Sequence, residues 1–561
     1  MKRLRRLFVK HEKIAVIILF LLLSTIFLSS WLHLRGYTTG YDSSYHVLTV
    51  NGLIHSSDGK IIPGMYDDMG YGEGIFYPQL SHHIGALILR VISPFGLSTL
   101  TAMKMSYILI LAISGITMYW FMKKITKGKI APALVSSIFY MLTPYHLSCI
   151  IRRDAMAEAA IYMFLPIVLW SLCYLREKNN RRFLGLFVIG VVGCLNTHLV
   201  MTVFFAIICA LYVVVDRKAL LSKKNIAMVL LGCFLALVIS SPFLAPLLQH
   251  KIRGGYQVFE PGYMYNDGYA DNCAHISIRD IVLPVANAND GIHYTVDLVV
   301  ASVCIYALVA QRKIKSKEQR RLVIFCLITI VTLCFLMVGV ISIRYWPSML
   351  QLIQFAWRLS TFVSLLLAIA LGVCLSYQRT DVGKIIVVTV LVSIAVNAFN
   401  VFPKNQGIVY SVDEFKKWGH NYDYLPARAF KNRKEFSGRN GAILIISQNK
   451  NAEIDNIQND TSSLIFDVQT DEKVSIEMPK FYYEGYEIKY RYDDGSEKDG
   501  DIYESNVGLI AFDIDRSAHV ELKYTGGAVL LISRLASSVT VVCLGGYYAT
   551  AHLRKNMTKR K

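Results

Sequence analysis

Two side chains that could move a proton lie close together near the start of the chain. Asp42 and His46 are four residues apart in the segment GYDSSYH, residues 40–46. Four residues are about one helical turn, so both side chains would share one face of a helix. A carboxylate and an imidazole placed in this way can act as a general base and its partner. The alternative is a solvated loop acid beside an interfacial histidine, because the spacing alone is a weak pattern.

Two adjacent arginines, Arg152 and Arg153, lie between apolar runs and are followed by Asp154 and Glu158. Guanidinium groups are suited to phosphate oxygens, since they donate two parallel hydrogen bonds. We interpret the pair as a binding site for the phosphate of a lipid-linked donor at the outer lipid interface. An ion-paired turn, in which either arginine contacts Asp154 or Glu158, explains the same pattern.

A third arginine, Arg358, lies at the start of a later apolar run and is a further candidate for the donor phosphate. A charge at that position is costly unless it is paired or faces a cavity. Asp297, near the outer end of another run, could be its counter-ion. Snorkelling of the long side chain to the interface is an alternative explanation.

Further candidate substrate-binding side chains lie in the same segments and in a glycine-rich run at residues 70–80. They are Glu73, Tyr77, Asp154, Glu158, Gln354 and Trp357. The glycines let the backbone approach a ligand closely, although they could equally mark turns. His82 and His83 follow, but no cysteine or acid cluster stands at ligand spacing. We therefore predict no metal site and no cofactor.

The elements that hold these residues must be embedded in a membrane, because the composition is too apolar for an ordinary soluble domain. Of 561 residues, 54% are hydrophobic and 18% are charged, and the mean hydropathy is +0.41. Apolar runs of roughly 20 residues cross the hydrocarbon core as helices. About twelve such runs occur, at residues 14–33, 100–122, 130–150, 157–175, 183–195, 197–215, 226–248, 293–311, 322–342, 357–376, 385–402 and 529–551.

Basic clusters between the runs predict the orientation, because basic loops stay in the cytoplasm. They lie in alternate connections, at residues 123–129, 176–182, 217–224, 312–321, 379–384 and 554–561. Both termini are then cytoplasmic, and residues 34–83, 152–158, 249–292 and 403–527 lie outside. The same pattern explains the net charge of +19 without a nucleic-acid partner.

Two apolar stretches need separate treatment. Residues 80–94 are too short to span, and we place them as an interfacial helix. Residues 183–215 are too long for one span and contain Asn196 and His198 near the middle. We predict a helical hairpin there, with its tip outside.

The segment 403–528 has a different pattern from the rest of the chain. Strand-like pieces occur at 442–446, 463–468, 473–478, 486–490 and 519–524, separated by Asn, Asp and Gly turns. We predict an extracytoplasmic β-sandwich. It would follow a multi-span domain at 1–402 and precede a final helix and basic tail at 529–561, so the fold class is a polytopic α-helical membrane protein with a C-terminal β domain.

The order of these motifs resembles that of YfhO-like membrane proteins and of the neighbouring 6-pyruvoyl-tetrahydropterin-synthase-related family, both similar to C-type (GT-C) membrane glycosyltransferases. The resemblance covers nearly the whole chain. It is carried by residues 40–46, 76–80, 152–158, 164–166, 354–358, 423–426 and 479–486.

The resemblance implies a GT-C-like fold and glycosyl transfer at the outer face of a bacterial plasma membrane. The donor would be a polyprenyl-phosphate sugar, and the acceptor an envelope glycan, polymer or lipid. Asp42 corresponds to the acid of the first outer loop that acts as base, and Arg152, Arg153 or Arg358 would stabilise the departing phosphate. Asp42 is followed by Ser43 rather than by a second acid, which puts a metal-assisted version in doubt.

Two other functions fit a polytopic chain of this kind. A transporter or flippase of a lipid-linked glycan would need polar groups at mid-membrane and interrupted helices. Here the ionisable residues crowd the outer loops, which favours surface chemistry. A non-catalytic envelope scaffold, holding a partner through its outer domain, would not need Asp42.

Overall fold

The structure is a computed structural model, and it divides the chain into two compact units. The first contains Met1–Val47, Gln79–Cys233 and Met264–Phe415, and the second contains Leu48–Pro78, Phe234–Tyr263 and Lys416–Lys561. The described residues are 11–56, 59–62, 69–260, 263, 275–283, 291–294, 296–309, 314–378, 380–401, 407–417, 422–436, 442–447 and 451–560. Much of the predicted outer segment 249–292 and the first part of the basic cluster 312–321 lie outside them. The predicted domain boundaries at 402 and 528 stay predictions.

Helices make up most of the described chain. In order they are α1 (Glu12–Phe27), α2 (Ser29–Leu32), α3 (Ser43–His55), α4 (Glu73–Phe76), α5 (Leu80–Ile92), α6 (Thr99–Ile125), α7 (Ile130–Met141), α8 (Pro144–Ile151), α9 (Met156–Ile161), α10 (Leu165–Arg176), α11 (Asn180–Thr197), α12 (Leu199–Val215) and α13 (Arg217–Leu220). They continue with α14 (Lys223–Ile239), α15 (Ser241–Arg253), α16 (Ile278–Val282), α17 (Leu298–Val309), α18 (Lys317–Met337), α19 (Ser348–Gln351), α20 (Ser360–Leu375), α21 (Thr380–Asn400), α22 (Val412–Lys416), α23 (Ala427–Lys431), α24 (Arg433–Phe436) and α25 (Gly527–Arg560). Short 3₁₀ turns lie at Ser93–Phe95, Gln257–Phe259, Ile343–Tyr345 and Ala356–Leu359.

Several helices have the length and composition of membrane spans. Among the described residues, five single helices qualify, at Thr99–Ile125, Met156–Arg176, Lys317–Met337, Ala356–Leu375 and Gly527–Leu553. Shorter apolar helices lie at Leu80–Phe95, Leu199–Val215 and Lys384–Asn400. Helices satisfy their own backbone hydrogen bonds, which is what lipid requires. The chain is therefore a polytopic helical membrane protein, as predicted, while the number of twelve spans stays a prediction.

Two of the predicted spans are bent rather than continuous. The run at 130–150 divides into α7 and α8 with a bend of 41°, and the run at 226–248 divides into α14 and α15 with a bend of 76°. A proline lies in the first turn of each second helix, Pro144 in α8 and Pro242 in α15. Proline suits the first turn of a helix because it has no amide hydrogen to donate to the preceding turn. The long run 183–215 also divides, since His198 is extended between α11 and α12.

The second unit contains two antiparallel sheets. Its strands are β3 (Leu444–Ile445), β4 (Glu453–Asp460), β5 (Ser463–Gln469), β6 (Val474–Phe481), β7 (Tyr486–Arg491), β8 (Glu497–Gly500), β9 (Tyr503–Glu504), β10 (Leu509–Ile514) and β11 (Ala518–Tyr524), in the orders β3-β6-β10-β9 and β4-β5-β11-β7-β8. Alternate side chains of β5, such as Leu464, Phe466 and Val468, are buried.

Aromatic rings join the two sheets of the second unit. The ring of Phe512 on β10 lies 6.2 Å from that of Phe466 on β5 and 5.8 Å from that of Tyr490 on β7, centroid to centroid. The sheets therefore pack face to face, as layers of a sandwich do. This confirms the predicted C-terminal β-sheet region, while its side of the membrane stays a prediction.

The loop before Asp42 is fixed within the first unit. Its strand β1 (Tyr37–Thr38) pairs antiparallel with β2 (Ile408–Val409). The buried Lys104 of α6 donates hydrogen bonds to the carbonyls of Leu34, at 2.9 Å, and Gly36, at 2.7 Å. A lysine buried in an apolar helix needs such partners. These contacts fix the position of Asp42 and of the start of α3.

Candidate functional site

The loop that ends at Asp42 and the turn between α8 and α9 meet within the first unit. The Asp42 amide donates a hydrogen bond to the Arg153 carbonyl, at 2.8 Å. A Cβ atom at Gly40 would lie only 2.6 Å from the Arg153 carbonyl carbon. Glycine is therefore required for this approach. The structure thus brings together two segments that are separate in sequence.

Four charged side chains alternate in sign where these segments meet. Arg153 Nη2 lies 3.4 Å from Asp42 Oδ2, and Arg153 Nη1 lies 2.5 Å from Glu158 Oε2. Arg358 Nε lies 3.4 Å from the same Glu158 oxygen. Arg153 and Glu158 are almost completely buried, and the Tyr145 hydroxyl donates a hydrogen bond to Glu158. Arg153 thus forms the ion pair that the sequence offered as an alternative, and it also contacts Asp42.

Asp154 fixes the turn that carries Arg153. Its Oδ1 accepts hydrogen bonds from the hydroxyls of Tyr37, at 2.8 Å, and Tyr107. Its backbone is left-handed, with φ of 58°, a conformation that persists only where its surroundings enforce it. Burial raises the pKa of Asp154 to about 7, although hydrogen bonds from Tyr107, Ser43 and Tyr37 favour its ionised form. Asp154 is enclosed by protein and holds two loops together.

Arg358 is held by the residues before it. Its Nη1 donates to the Ile353 carbonyl and to Gln354 Oε1, both at 2.9 Å. Gln354 is also left-handed, with φ of 63°. The Trp357 ring centroid lies 4.8 Å from the Arg153 guanidinium carbon, a cation–π distance. The predicted residues Gln354, Trp357 and Arg358 therefore lie beside Arg153.

Arg152 has different surroundings from its neighbour. It is half-buried, and a Cβ atom at Gly291 would lie 3.4 Å from its Nη1. Of the described residues, none forms an ion pair with it. Burial lowers the pKa of Arg152, but a guanidinium remains charged at neutral pH. Arg152 therefore brings a positive charge that no acid in the described part of the chain balances.

The structure gives the His46 imidazole a different partner from the one that its spacing indicated. His46 Nδ1 lies 2.7 Å from His82 Nε2, and the two rings stack with centroids 4.9 Å apart. The backbone amide of His46 donates to the Asp42 carbonyl, at 3.1 Å. Burial keeps the pKa of His46 well below its ordinary value. The two rings are therefore neutral at pH 7 and share one hydrogen bond.

Asp42 has the environment of a possible general base. Its side chain is 39% exposed, while protein surrounds it on the other sides. Burial raises the pKa of Asp42, the charges of Arg153 and Arg358 oppose that rise, and the charge of Glu158 adds to it. A base works best with a pKa near the working pH. Asp42 is thus both accessible and more basic than a free aspartate.

Glu73 and Tyr77 belong to the second unit, so the group around Asp42 is assembled without them. Glu73 is buried and accepts a hydrogen bond from the Thr49 hydroxyl. The Tyr77 ring lies 6.4 Å from that of Tyr424. The two residues take part in the packing of that unit, and their role in binding substrate stays a prediction.

Asp297 binds groups other than Arg358. Its Oδ1 accepts from the amides of Val299, at 3.0 Å, and Val300, at 3.1 Å, which caps α17. Its Oδ2 accepts from Ser393, at 2.9 Å, and Asn397, at 3.0 Å. The role of counter-ion to Arg358 belongs to Glu158 instead.

Two of the supporting residues have a signal in the sequence. Lys104 and His198 are polar residues inside apolar runs, a pattern that indicates a buried partner or a site. His198 lies within electrostatic reach of Arg358 and Glu158. Tyr37, Tyr107 and Tyr145 carried no such signal, because tyrosine is common in apolar segments.

The chain matches a family model and several solved structures. The 6-pyruvoyl-tetrahydropterin synthase related domain, a membrane protein, matches residues 75–403, which is more than half of the sequence. No curated protein matches. A cryo-EM structure of the arabinofuranosyltransferase AftD from mycobacteria matches with a TM-score of 0.47 and 13% identity, over 72% of this chain and 28% of that one. A mutant form matches with a TM-score of 0.43 and 13% identity, over 72% and 29%.

The chain thus spans less than a third of the length of those structures. The matched family range contains Arg153, Glu158 and Arg358 and begins after Asp42. This match confirms the family that the motifs predicted. The chain belongs to the 6-pyruvoyl-tetrahydropterin-synthase-related family of membrane proteins.

Proposed function

We propose that the chain is a membrane glycosyltransferase. It moves a sugar from a polyprenyl-phosphate donor to an envelope glycan or lipid acceptor at the outer face. The observation that carries the proposal is the partly exposed Asp42 carboxylate, joined to Arg153, Glu158 and Arg358. The resemblance of the motifs to those of C-type glycosyltransferases gives the reaction class.

Asp42 is the general base of the proposed reaction. The acceptor hydroxyl oxygen attacks the anomeric carbon and forms the new glycosidic bond, while Asp42 takes the hydroxyl proton. The bond between the anomeric carbon and the phosphate oxygen breaks, and its electron pair leaves with the phosphate. The raised pKa of Asp42 supports this role, because it makes the carboxylate a stronger base at neutral pH.

Arg152 and Arg358 are the proposed partners of the phosphate. The charge of Arg153 is already balanced by Asp42 and Glu158. Arg152 has no acidic partner among the described residues, and Arg358 shares Glu158 with Arg153 at a longer distance. Cations aimed at a developing charge stabilise the transition state. In this scheme Arg153, Asp154 and Glu158 position the reacting groups, while Gln354 and Trp357 support Arg358.

Asp42→Asn tests the catalytic assignment, because it keeps the shape of the side chain and removes the base. Membranes that contain the variant are given labelled polyprenyl-phosphate sugars and envelope glycan. Transfer should fall by about 10²–10⁴-fold, the usual contribution of a general base. Asp499→Asn, at an exposed acid of β8, is the matched control and should transfer at the wild-type rate. Unchanged transfer by a well-folded Asp42→Asn variant would remove the assignment.

A transporter of a lipid-linked glycan is the second candidate, because α7–α8 and α14–α15 are interrupted helices of the kind that transporters use. The two functions differ in one measurable respect. A transporter moves a labelled polyprenyl-phosphate sugar across a proteoliposome membrane without acceptor, and Asp42→Asn leaves that movement intact. Loss of sugar transfer in the variant, with no movement of donor in the wild type, would exclude the transporter.

A further inference from the structure

A cavity lies in the first unit, and Asp42 is not among the residues that line it. Its volume is about 310 Å³. Six helices line it, namely α6, α10, α12, α13, α18 and α20. The site around Arg358 precedes α20, whereas the cavity is lined by Leu365, Leu366 and Ile369 further along that helix. Its chemistry is therefore independent of the proposed transferase reaction.

The interior of this cavity is apolar. Leu169, Leu172, Phe205, Ile208 and Leu322 are among its walls. Apolar cavities exclude water and take apolar guests, and an empty cavity weakens the packing around it. The size lies at the lower end of the range for ligand sites. An apolar guest of modest volume is the occupant that these walls favour.

Charged side chains form the rim of the cavity at one end. They are Lys124, Lys127, Arg176, Glu177, Asp216 and Glu318. Lys124 pairs with Glu177 at 2.7 Å, and Arg176 pairs with Asp216 at 2.9 Å and with Glu318. Lys127 is exposed and has no ion pair with any described residue. The rim thus presents both signs of charge, including one cation that remains available.

The depth of the cavity matches one leaflet of a membrane. Along α12 the lining residues run from Phe205 to Asp216, a length of about 16 Å at the helical rise per residue. Half of a bilayer hydrocarbon core is about 15 Å. The charged rim would then lie at headgroup level and Phe205 near the membrane centre.

We propose that this cavity holds one acyl chain of a membrane phospholipid with a phosphoethanolamine headgroup. The apolar walls enclose the acyl chain along the depth of one leaflet. Lys127 binds the phosphate, and the rim acids, foremost the exposed Glu177, face the ammonium group. The three cations and three acids of the rim sum to zero charge. A headgroup with both charges keeps that balance, whereas a purely anionic headgroup would add an uncompensated negative charge.

Photolabelling of the full chain in nanodiscs tests the proposal. The discs contain phosphatidylcholine and a trace of phosphatidylethanolamine with a photoactivatable group at the end of one acyl chain. Mass spectrometry of the labelled peptides should find label on Phe205 and Leu169, at the deep end of the cavity. Label only on outward-facing residues would overturn the proposal.

A matched pair of substitutions on α12 tests where the acyl chain of the lipid lies. Ile208 is 6% exposed and lines the cavity, whereas its neighbour Ile207 is 41% exposed on another face. Ile208→Trp fills the cavity and should reduce labelling of Phe205 about tenfold, or 1.4 kcal/mol. Ile207→Trp should leave it unchanged. Equal labelling in both variants would overturn the proposal.

A second matched pair of substitutions tests the headgroup. Both positions lie outside the packed interior. Lys127 and Lys178 are both exposed and both left-handed, but only Lys127 lines the cavity. Lys127→Glu should reduce labelling about fivefold, since a lysine near the surface contributes about 1 kcal/mol. Lys178→Glu should have no effect. A wild-type preference for a phosphatidylglycerol probe would overturn the headgroup assignment.

Discussion

Glu158→Gln should destabilise the protein far more than a typical loss of one acid. The carboxylate of Glu158 lies 2.5 Å from Arg153 and 3.4 Å from Arg358, and all three side chains are largely buried. Gln keeps the shape and can still accept the Tyr145 hydrogen bond. It leaves two buried guanidiniums that, among the described acids, only Asp42, at 3.4 Å from Arg153, then balances. Removing one partner of a buried pair costs about 3–5 kcal/mol.

Glu177→Gln is the matched control, because it makes the same substitution in an exposed pair. The side chains of Glu177 and Lys124 are 49% and 29% exposed, and such pairs contribute about 0–1 kcal/mol. The free energy of unfolding is measured by denaturant titration in detergent micelles. We expect Glu158→Gln to lose at least about 2 kcal/mol more than the control. Equal losses would refute the claim that this buried ion pair organises the site.

Three further outcomes follow from the same geometry. The acid side of the pH–rate profile should fall at a pKa above the ~3.9 of a free aspartate, because burial raises the pKa of Asp42. Arg153→Gln should move that limb to higher pH by removing a cation that favours the carboxylate, and an unmoved limb would contradict this. Gly40→Ala places a Cβ atom 2.6 Å from the Arg153 backbone and should reduce transfer about a hundredfold. Gly545→Ala, with nothing within 4 Å, should match the wild type. Asp154, with a folded pKa of about 7 above its unfolded value, stabilises the fold at low pH and loses that contribution as pH rises from about 4 to 7. Asp154→Asn should abolish this fall of about 4 kcal/mol in the free energy of unfolding, and an unchanged pH dependence in the variant would contradict it.

The spans and several strands could be predicted because their signals are local. A helix such as Lys317–Met337 is apolar over its own length, and an apolar helix of this length is stable in the hydrocarbon core of a membrane. Strands β5 and β11 alternate buried and exposed side chains, which is a pattern of neighbours in sequence. The bends also had a local signal in Pro144 and Pro242, but hydrophobicity alone does not predict a bend. Strand β4 is exposed and polar over most of its length, so it had no such pattern.

The contacts within the site could not be read from spacing. Asp42 and Arg153 are 111 residues apart, and their distance depends on how α6 and α8 pack. The four-residue spacing of Asp42 and His46 indicated a pair, but packing against α5 gave His46 the partner His82. Asp154 showed its polar type in the sequence, while its enclosure by Tyr37 and Tyr107 depends on the tertiary structure.

The balance of charge explains why this group can be buried, and it bears on the proposed binding of a phosphate. Asp42, Glu158, Arg153 and Arg358 sum to zero, which limits the cost of removing them from water. Arg152, next to Arg153 in the chain, adds a positive charge that no described acid pairs with. A phosphate that approaches Arg152 and Arg358 would therefore find a net positive site, with the Asp42 carboxylate on the side of the acceptor.

A structure of the full chain with a non-hydrolysable polyprenyl-phosphonate sugar tests this account most directly. The phosphonate oxygens should lie within hydrogen-bond distance of Arg152 and Arg358, and the anomeric carbon should face the Asp42 carboxylate. A phosphonate bound away from both arginines, or a sugar that cannot reach Asp42, would contradict the account.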